Sequence, residues 1–296
     1  MLNTSKPILF FGTDYFSLHV LKALIHEGYS IHAVITKPDS HQGRGQKLTG
    51  SPVKQYAEAE GIEVWQPQHV GEVFEKVKAL DHPAGVLVSY GQIIPADLID
   101  LFQPGIINIH PSLLPKYRGP TPFESVILNG DEKTGISIMK LSSRMDAGPV
   151  YHQVEVPLSG TETKTDVEHM LTELSAIELI KVLPSILDGS LEPKPQHDGD
   201  ATYCSLLDKS DAHINPEKLA ATQAERHVRA YIEFPRTKIA VNGHDVIITK
   251  AHVADEGNSP LDIRFQDGQY LSIDELVGPS GRKMSAKDFL NGYAAG

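Results

Sequence analysis

Three polar residues in two short segments could carry out the transfer of an acyl group. Asn108 and His110 stand two positions apart at the end of an apolar run, and Asp146 follows a later apolar run. An asparagine amide can donate to the oxyanion that forms when a carbonyl carbon is attacked. Histidine titrates near neutral pH and can move a proton, while aspartate can orient the imidazole or take a proton from an attacking amine. No serine or cysteine nucleophile is needed when the substrate amine itself attacks, so these three residues are the catalytic candidates.

Each of these residues has a simpler interpretation on its own. A single histidine at a strand end is usually a hydrogen-bonded structural residue, and an aspartate followed closely by glycine usually marks a turn. Side chains alternate along a strand, so Asn108 and His110 share one side of theirs. Ligands of open parallel sheets bind beyond the carboxyl ends of the strands. We therefore expect both segments to meet at that edge of a sheet.

The first two thirds of the chain alternates between strand and helix signals. Short apolar runs predict buried strands at residues 7–11, 31–35, 62–65, 85–89, 105–110, 135–141 and 150–156. Helical spacing and capping residues predict helices at residues 18–25, 51–61, 70–80 and 165–187. This alternation predicts an α/β domain over residues 1–190, with a Rossmann-like, doubly wound and mostly parallel sheet.

The pattern changes after residue 190. Residues 193–200 are rich in Pro, Gly and Asp, and a linker is predicted over residues 191–206. Beyond them we expect a helix from Asn215 to about Tyr231, a hairpin at Asn242-Gly243, a second turn at Asp267-Gly268 and a last helix capped by Ser285. These signals predict a second domain, residues 207–296, formed by a small, mainly antiparallel β-barrel of the OB-like kind.

Composition excludes several classes of protein. The 296 residues are 40% hydrophobic and 22% charged, which is typical of a soluble globular protein, and no apolar run approaches the roughly 18 residues that a membrane span needs. Cys204 is the only cysteine, so intrachain disulfides are impossible and a cytoplasmic location is expected. We expect no metal and a monomeric state. The net charge of −11 argues against broad nonspecific binding of nucleic acid. Six basic residues are candidates for a local basic face: Arg226, Arg229, Arg236, Lys238, Arg282 and Lys283.

The run Asn108-Ile-His-Pro-Ser-Leu-Leu-Pro-Lys-Tyr-Arg-Gly119 resembles the active-site signature of the folate-dependent formyltransferases, as does Gly135 to Gly148 with its Met145-Asp-Ala-Gly spacing. The resemblance implies 10-formyltetrahydrofolate as formyl donor and places Asn108, His110 and Asp146 at the catalytic positions. It also implies that Ser112, Leu113, Leu114 and Pro115 bind the folate. Val88, Tyr90 and Gly91, in the segment 88–95, are then expected to line the pterin pocket.

Further segments resemble the formyltransferases that act on initiator methionyl-tRNA. Thr36-Lys-Pro-Asp39, Gly43-Arg-Gly-Gln-Lys-Leu48 and Ser51-Pro-Val-Lys54 are similar to a loop inserted after the second strand in that group, and Ala201-Thr-Tyr203 is similar too. The loop implies contacts of Arg44, Lys47 and Lys54 with the tRNA acceptor stem. Arginine and lysine can meet phosphate there, while Gly43 and Gly45 permit close backbone approach. An ordinary solvated loop is the simpler alternative.

Two other functions would use some of the same residues. An N-formyltransferase for a nucleotide-linked amino sugar, or for glycinamide ribonucleotide, would share the Asn, His and Asp set but not the inserted loop. An RNA-binding protein without activity would not need all three polar residues. Nicotinamide binding is excluded after the first strand, because Gly12-Thr-Asp-Tyr-Phe-Ser17 lacks the Gly-x-Gly-x-x-Gly pattern.

Overall fold

The computed structural model describes residues 6–42 and 47–293. These residues form two compact units. The first unit comprises the described residues up to Arg118 together with Gly135–Val156 and Glu168–Tyr203, and the second comprises Gly119–Thr134, Pro157–Val167 and the described residues from Cys204 onward. The predicted division at residues 190 and 207 stays a proposal. No helix in these described parts is long and apolar enough to cross a membrane.

The first unit is built on a seven-stranded sheet. Its strands are β1 (Ile8–Gly12), β2 (Ile31–Ile35), β5 (Glu63–Trp65), β6 (Ala84–Val88), β7 (Ile106–His110), β8 (Lys133–Lys140) and β9 (Val150–Pro157). The order across the sheet is β5-β2-β1-β6-β7-β8-β9. The pairs from β5 to β7 are parallel, whereas β8 runs antiparallel to β7. The predicted α/β fold with a mostly parallel sheet is confirmed.

Helices and one short hairpin complete the chain up to residue 190. The α-helices are α1 (Tyr15–His26), α2 (Pro52–Ala59), α3 (Phe74–Lys78), α4 (Ala96–Ile99), α5 (Pro122–Asn129) and α6 (Lys164–Leu187). The hairpin is β3 (Ser40–Gln42) and β4 (Lys47–Thr49). Ser51 caps α2 by accepting a hydrogen bond from the Lys54 amide, and Pro52 begins the helix, as the Ser-Pro pair predicts. The helix predicted over 70–80 is broken, since Val70–Val73 forms a 3₁₀ turn before α3.

The buried strands explain how the site is held rigid. Every residue of β1, β6 and β7 is buried. One core cluster packs Phe11, Trp65 and Tyr90 against the helices on one side of the sheet. Close packing of this kind fixes the strand ends, from which polar side chains can then project with a defined geometry.

The second unit contains an antiparallel sheet. Its strands are β10 (Lys238–Val241), β11 (His244–Ala254), β12 (Asp262–Arg264), β13 (Tyr270–Val277) and β14 (Lys283–Ser285), in the order β10-β11-β13-β12 with β14 also on β13. Asn242 and Gly243 both have positive φ, as a two-residue hairpin turn requires, and the second hairpin turns at Asp267-Gly268. Ser285 caps the last helix, α8 (Ala286–Gly292). The antiparallel sheet is confirmed, while the closed OB-like barrel stays a prediction.

One predicted helix of this unit is wrong at its start. Helix α7 covers Ala221–Ala230 and does not begin at Asn215. The Asn215 side chain accepts from the Glu217 amide, and its carbonyl accepts from Lys218, so the chain forms a local turn there. The start of α7 is instead fixed from a distant hairpin, because the Asp267 carboxylate accepts from the Ala221 amide.

Candidate active site

Strand β7 positions the first two candidate residues. Asn108 lies between Leu87 of β6 and Met139 of β8, and His110 pairs with Ser137 of β8. Asn108 and His110 are each only 5% exposed. Because they are two positions apart in one strand, their side chains share a side of the sheet, as predicted.

The Asn108 carboxamide is an available hydrogen-bond donor. Its side chain makes no hydrogen bond to any of the residues that the structure describes, although the residue is buried. Buried amides normally find a partner, because an unpaired donor costs free energy. A ligand oxygen placed against β7 would supply that partner, which is the requirement of an oxyanion site.

The His110 imidazole is held in one tautomer by the main chain. Its Nε2 lies 2.8 Å from the carbonyl oxygen of Tyr117. A carbonyl oxygen can only accept, so Nε2 carries the hydrogen and donates it. In the neutral ring Nδ1 then has the lone pair, and it lies 3.7 Å from Oδ2 of Asp146. A proton on Nδ1 would therefore place a positively charged ring beside the Asp146 carboxylate.

The structure brings Asp146 to His110 by a route that the sequence does not reveal. We expected the Asp146 segment at the carboxyl edge of a parallel strand, but β8 is antiparallel and Lys140 pairs with Ile107 at the other end of β7. The loop 141–149 therefore returns toward His110. Asp146 has a φ of 45°, a left-handed conformation that aspartate tolerates better than most residues. Gly148 closes the loop where a Cβ atom would fall 1.9 Å from the Lys140 carbonyl oxygen.

A buried network holds the segment predicted to bind folate. The Ser137 hydroxyl donates to the Ser112 carbonyl at 2.6 Å and accepts from the Leu114 amide at 3.0 Å. The Gln153 side chain donates to the Leu114 carbonyl at 2.6 Å and to Ser137 Oγ at 2.9 Å. The hydroxyl of Ser112 turns inward to the Lys116 carbonyl. Leu113 and Pro115 are half-buried, so the segment can present its backbone and these two side chains to a ligand.

The segment after β6 offers mainly backbone groups. Val88 and Tyr90 are buried, and the Tyr90 ring packs against Phe11 with its hydroxyl unpartnered among the described residues. Burial, helped by the charge of Glu72, raises the pKa of the Tyr90 hydroxyl, whose oxygen is buried. Gly91 is exposed, and a Cβ atom there would meet the Lys37 ammonium.

The loop between β2 and α2 is tied at its base. Thr36 and Ser51 share a buried hydrogen bond of 2.8 Å, and the Lys54 ammonium lies 2.8 Å from both carboxylate oxygens of Asp39. The Gln66 amide and this ammonium hold the pKa of the Asp39 carboxyl below its usual value. Of the residues predicted to bind tRNA, Lys47 is exposed on β4, Lys54 is ion-paired, and Arg44 lies outside the described residues.

Half of the predicted basic face is already occupied by partners within the second unit. Arg229 pairs with the Glu225 carboxylate at 2.7 Å, and Lys283 pairs with Glu275. Arg226 donates to a main-chain carbonyl of α5 at 3.4 Å. Of these six residues, Arg236, Lys238 and Arg282 have neither an ion pair nor a side-chain hydrogen bond within the described part of the chain. Within that same part, no group of three or more His, Cys, Asp or Glu residues could hold a metal ion.

Sequence reasoning missed the groups that support the site. Ser137 and Gln153 form the network under residues 112–115, and Gln196 hydrogen-bonds to the Asp146 loop. Gln196 falls in the segment predicted to be a linker. The signal available there was the pair Pro193 and Pro195, since closely spaced prolines favour an extended chain over a flexible one.

Comparisons with known proteins identify the family of this chain. A family model described as "Formyl transferase" matches residues 6–183. A methionyl-tRNA formyltransferase of Halorhodospira halophila is 35% identical over 298 residues, covering 96% of this chain and 96% of the relative. The enzyme of that name from Methylococcus capsulatus is 36% identical over 300 residues, covering 97% of each chain.

Solved structures show the same fold at lower identity. An N-formyltransferase of Helicobacter canadensis, in complex with folinic acid and dTDP-3-aminofucose, has a TM-score of 0.69 at 20% identity and covers 90% of this chain and 98% of that one. HypX of Aquifex aeolicus with tetrahydrofolic acid has a TM-score of 0.66 at 18% identity, covering 99% of this chain and 48% of that one. At these identities the likeness establishes the fold alone.

Proposed function

Because the chain belongs to the formyl transferase family and aligns over nearly its whole length with methionyl-tRNA formyltransferases, we propose that it transfers the formyl group of 10-formyltetrahydrofolate to the free amino group of methionyl-initiator tRNA. The product would serve translation initiation. The observation that carries the chemistry is the unpartnered Asn108 carboxamide on the strand that also holds His110, whose imidazole faces Asp146.

Asn108 would act on the charge that develops during attack. The methionyl amine adds to the formyl carbon, and the formyl oxygen gains negative charge. When this intermediate collapses, the bond from the formyl carbon to N10 breaks, and tetrahydrofolate leaves with N10 taking up the proton that the amine has lost. A carboxamide that is already buried and unpaired can donate to this oxygen without first breaking another hydrogen bond. A donor of this kind is worth about 3–4 kcal/mol of transition-state stabilisation in enzymes where it has been removed.

His110 and Asp146 would handle the proton that the amine releases. A free α-amino group has a pKa of about 7.7–8.0, so much of the nucleophile carries an extra proton at neutral pH. The main-chain bond from Nε2 leaves Nδ1 free on the side of Asp146. A proton taken up at Nδ1 would form an ion pair with the nearby Asp146 carboxylate, so the pair is suited to accept it.

The formyl donor would lie along two backbone segments. We propose that residues 112–115 and the exposed turn at Gly91 contact the folate, with Val88 and Tyr90 contributing main-chain groups because their side chains are buried. The network of Ser137 and Gln153 would keep the first segment in place. Both segments belong to the unit that carries the catalytic residues.

The tRNA would be recognised by the inserted loop and by the second unit. We propose that Arg44 and Lys47 contact the acceptor stem, while Lys54 supports the loop through its ion pair with Asp39. The second unit, proposed to close as an OB-like barrel, would offer Arg236, Lys238 and Arg282. We further propose that the protein is cytoplasmic and monomeric.

Transfer of labelled formyl from 10-formyltetrahydrofolate tests this function. The acceptors are charged initiator methionyl-tRNA, glycinamide ribonucleotide and a nucleotide-linked amino sugar, each offered separately. Label on the methionyl-tRNA alone is the expected result. Label on a small amine alone would overturn the proposed acceptor and would leave the second unit without its proposed role.

A further inference from the structure

The segment after α6, residues 194–203, is bound to both sequence motifs of the active site, residues 108–119 and residues 135–148 with the strand that follows. Lys194 and Val150 exchange two main-chain hydrogen bonds of 2.8 Å. Eight residues later, the Thr202 amide donates to the Pro115 carbonyl at 3.2 Å, and the Thr202 carbonyl accepts from the Arg118 amide at 2.9 Å. The residues between these two anchor points are therefore held against the first unit, although their composition predicts a linker.

Gln196 lies between the two anchors and bridges the motifs with its side chain. Its Nε2 donates to the carbonyl oxygens of Asp146 and Gly148, at 2.7 Å each. Its Oε1 accepts from Arg118, at 3.1 Å from Nε and 2.9 Å from Nη2. Both hydrogens of this amide are thus donated to the Asp146 loop, and its oxygen accepts from Arg118 in the motif 108–119.

Arg118 makes the bridge stiff. Its side chain is fully buried, and a buried guanidinium is tolerated only with partners that neutralise it and accept its hydrogens. Asp198 supplies the charge at 2.8 Å, and Tyr203 adds a contact of 3.3 Å from Nη1 to its hydroxyl. The second oxygen of Asp198 accepts from Arg144 at 2.8 Å. The guanidinia of Arg144 and Arg118 hold the pKa of the Asp198 carboxyl below its usual value, so the pair stays charged at neutral pH.

The Asp146 loop needs such support. Asp146 has a left-handed backbone, and its neighbour Met145 is exposed. The Asp146 carboxylate must nevertheless stand at a fixed distance from His110 for the proton to be shared. The two carbonyls that Gln196 holds belong to Asp146 itself and to the residue two positions later, so they define the backbone from which that carboxylate projects.

We propose that Gln196 is a positioning residue which, clamped by Arg118 and Asp198, sets the Asp146 carboxylate against His110. This role rests on the proposed formyl transfer and deepens it. A residue in this role touches neither substrate. Its removal should therefore lower the turnover rate and leave the binding of both substrates alone.

The variant Gln196→Glu separates the two halves of the bridge. A glutamate keeps an acceptor for Arg118, but it loses both donors and sets a carboxylate against two carbonyl oxygens. We expect kcat to fall by about 10- to 100-fold, because a misplacement of about 1 Å can cost that much, with KM for both substrates within about twofold of wild type. Two carbonyl oxygens lose their donor, so the melting temperature should also fall, and kcat is measured at a temperature where each variant is fully folded. Gln196→Met, which removes the whole bridge at similar size, should lower kcat at least as far.

The matched control is Gln266→Glu. Gln266 also donates its side-chain amide to a main-chain carbonyl, that of Lys218 at 3.0 Å, but it lies in the second unit. Its kcat and KM should equal those of wild type. Unchanged kcat in both Gln196 variants, or a raised KM at unchanged kcat, would overturn the positioning role while leaving the proposed function standing.

Hydrogen exchange gives a readout that does not depend on turnover. Peptides covering residues 142–149 should exchange faster in Gln196→Glu than in wild type, because the loop has lost two of its anchors. Exchange as slow as in wild type would contradict the clamp even if the wild-type protein proved to act on another amine. Faster exchange in a protein that transfers no formyl group would support the clamp and refute the proposed function.

Discussion

Replacing Ser137 by alanine should reveal how much the network under residues 112–115 contributes. Ser137 is fully buried, and its hydroxyl makes three hydrogen bonds, to the Ser112 carbonyl, the Leu114 amide and the Gln153 side chain. Alanine fits the same space, so the loss is one of hydrogen bonds and not of packing. Gln153 keeps its bond to the Leu114 carbonyl, whereas the Leu114 amide loses the acceptor that Ser137 provides.

The expected size follows from these orphaned groups. Each buried polar group left unsatisfied costs about 1–3 kcal/mol, and two main-chain groups are affected, so the free energy of unfolding should fall by about 2–6 kcal/mol. Since Ser112 and Leu114 belong to the segment proposed to bind folate, KM for the formyl donor should rise as well. The acceptor should be bound as before.

The chain offers a matched control and a built-in probe. Ser175 on α6 is also fully buried, but its hydroxyl has no partner among the described residues, so Ser175→Ala removes an unsatisfied group. This control should leave stability unchanged or raise it by about 0.5–1.5 kcal/mol, because alanine also favours the helix. Trp65, the only tryptophan, lies in the core of the first unit, and its fluorescence in urea reports the unfolding of that unit. Equal losses for both serine variants would refute the reasoning.

Two further outcomes are expected. Arg44→Ala and Lys47→Ala should each raise KM for methionyl-tRNA about 3- to 10-fold at low salt, with kcat unchanged. The increase in KM should become smaller at higher salt, because salt screens the phosphate contact. An unchanged KM would show that the acceptor stem binds elsewhere. Burial lowers the pKa of the His227 imidazole, an effect that the charge of Asp211 only partly opposes. The folded state therefore binds a proton at His227 less readily than the unfolded state does, so its contribution to stability is lost as pH falls below the ordinary value of about 6.5. Measured by calorimetry, the melting temperature of His227→Gln should fall less than that of wild type between about pH 7.5 and about pH 5.5. Equal falls for the two proteins would show that His227 does not titrate in this way.

Local sequence signals predicted the elements that position the site. The apolar run 31–35 gives β2 with those bounds, and Ser51-Pro52 starts α2, because burial and capping are decided by neighbouring residues. Alternation likewise placed Asn108 and His110 on one side of their strand. The turn at Asn242-Gly243 was predictable because only residues that tolerate positive φ fit it.

Features set by distant contacts could not be predicted. The start of α7 depends on Asp267, whose carboxylate accepts from the Ala221 amide, 46 residues away in the sequence. The tautomer of His110 depends on a carbonyl exposed by the turn at Tyr117, and the Asp146 loop depends on Gln196. None of these has a periodicity or a spacing that marks it, since each pairs groups that meet only after the sheet has formed.

The most direct test of the central claim is the turnover of Asn108→Ala in formyl transfer to methionyl-tRNA. Removal of the oxyanion donor should lower kcat by about 10²- to 10³-fold and leave the dissociation constant for the folate nearly unchanged. The control Asn129→Ala, which loses only a side-chain bond to the Ser125 carbonyl on α5, should turn over like wild type. A kcat for Asn108→Ala close to that of wild type would contradict the proposed mechanism, in which Asn108 alone stabilises the oxyanion.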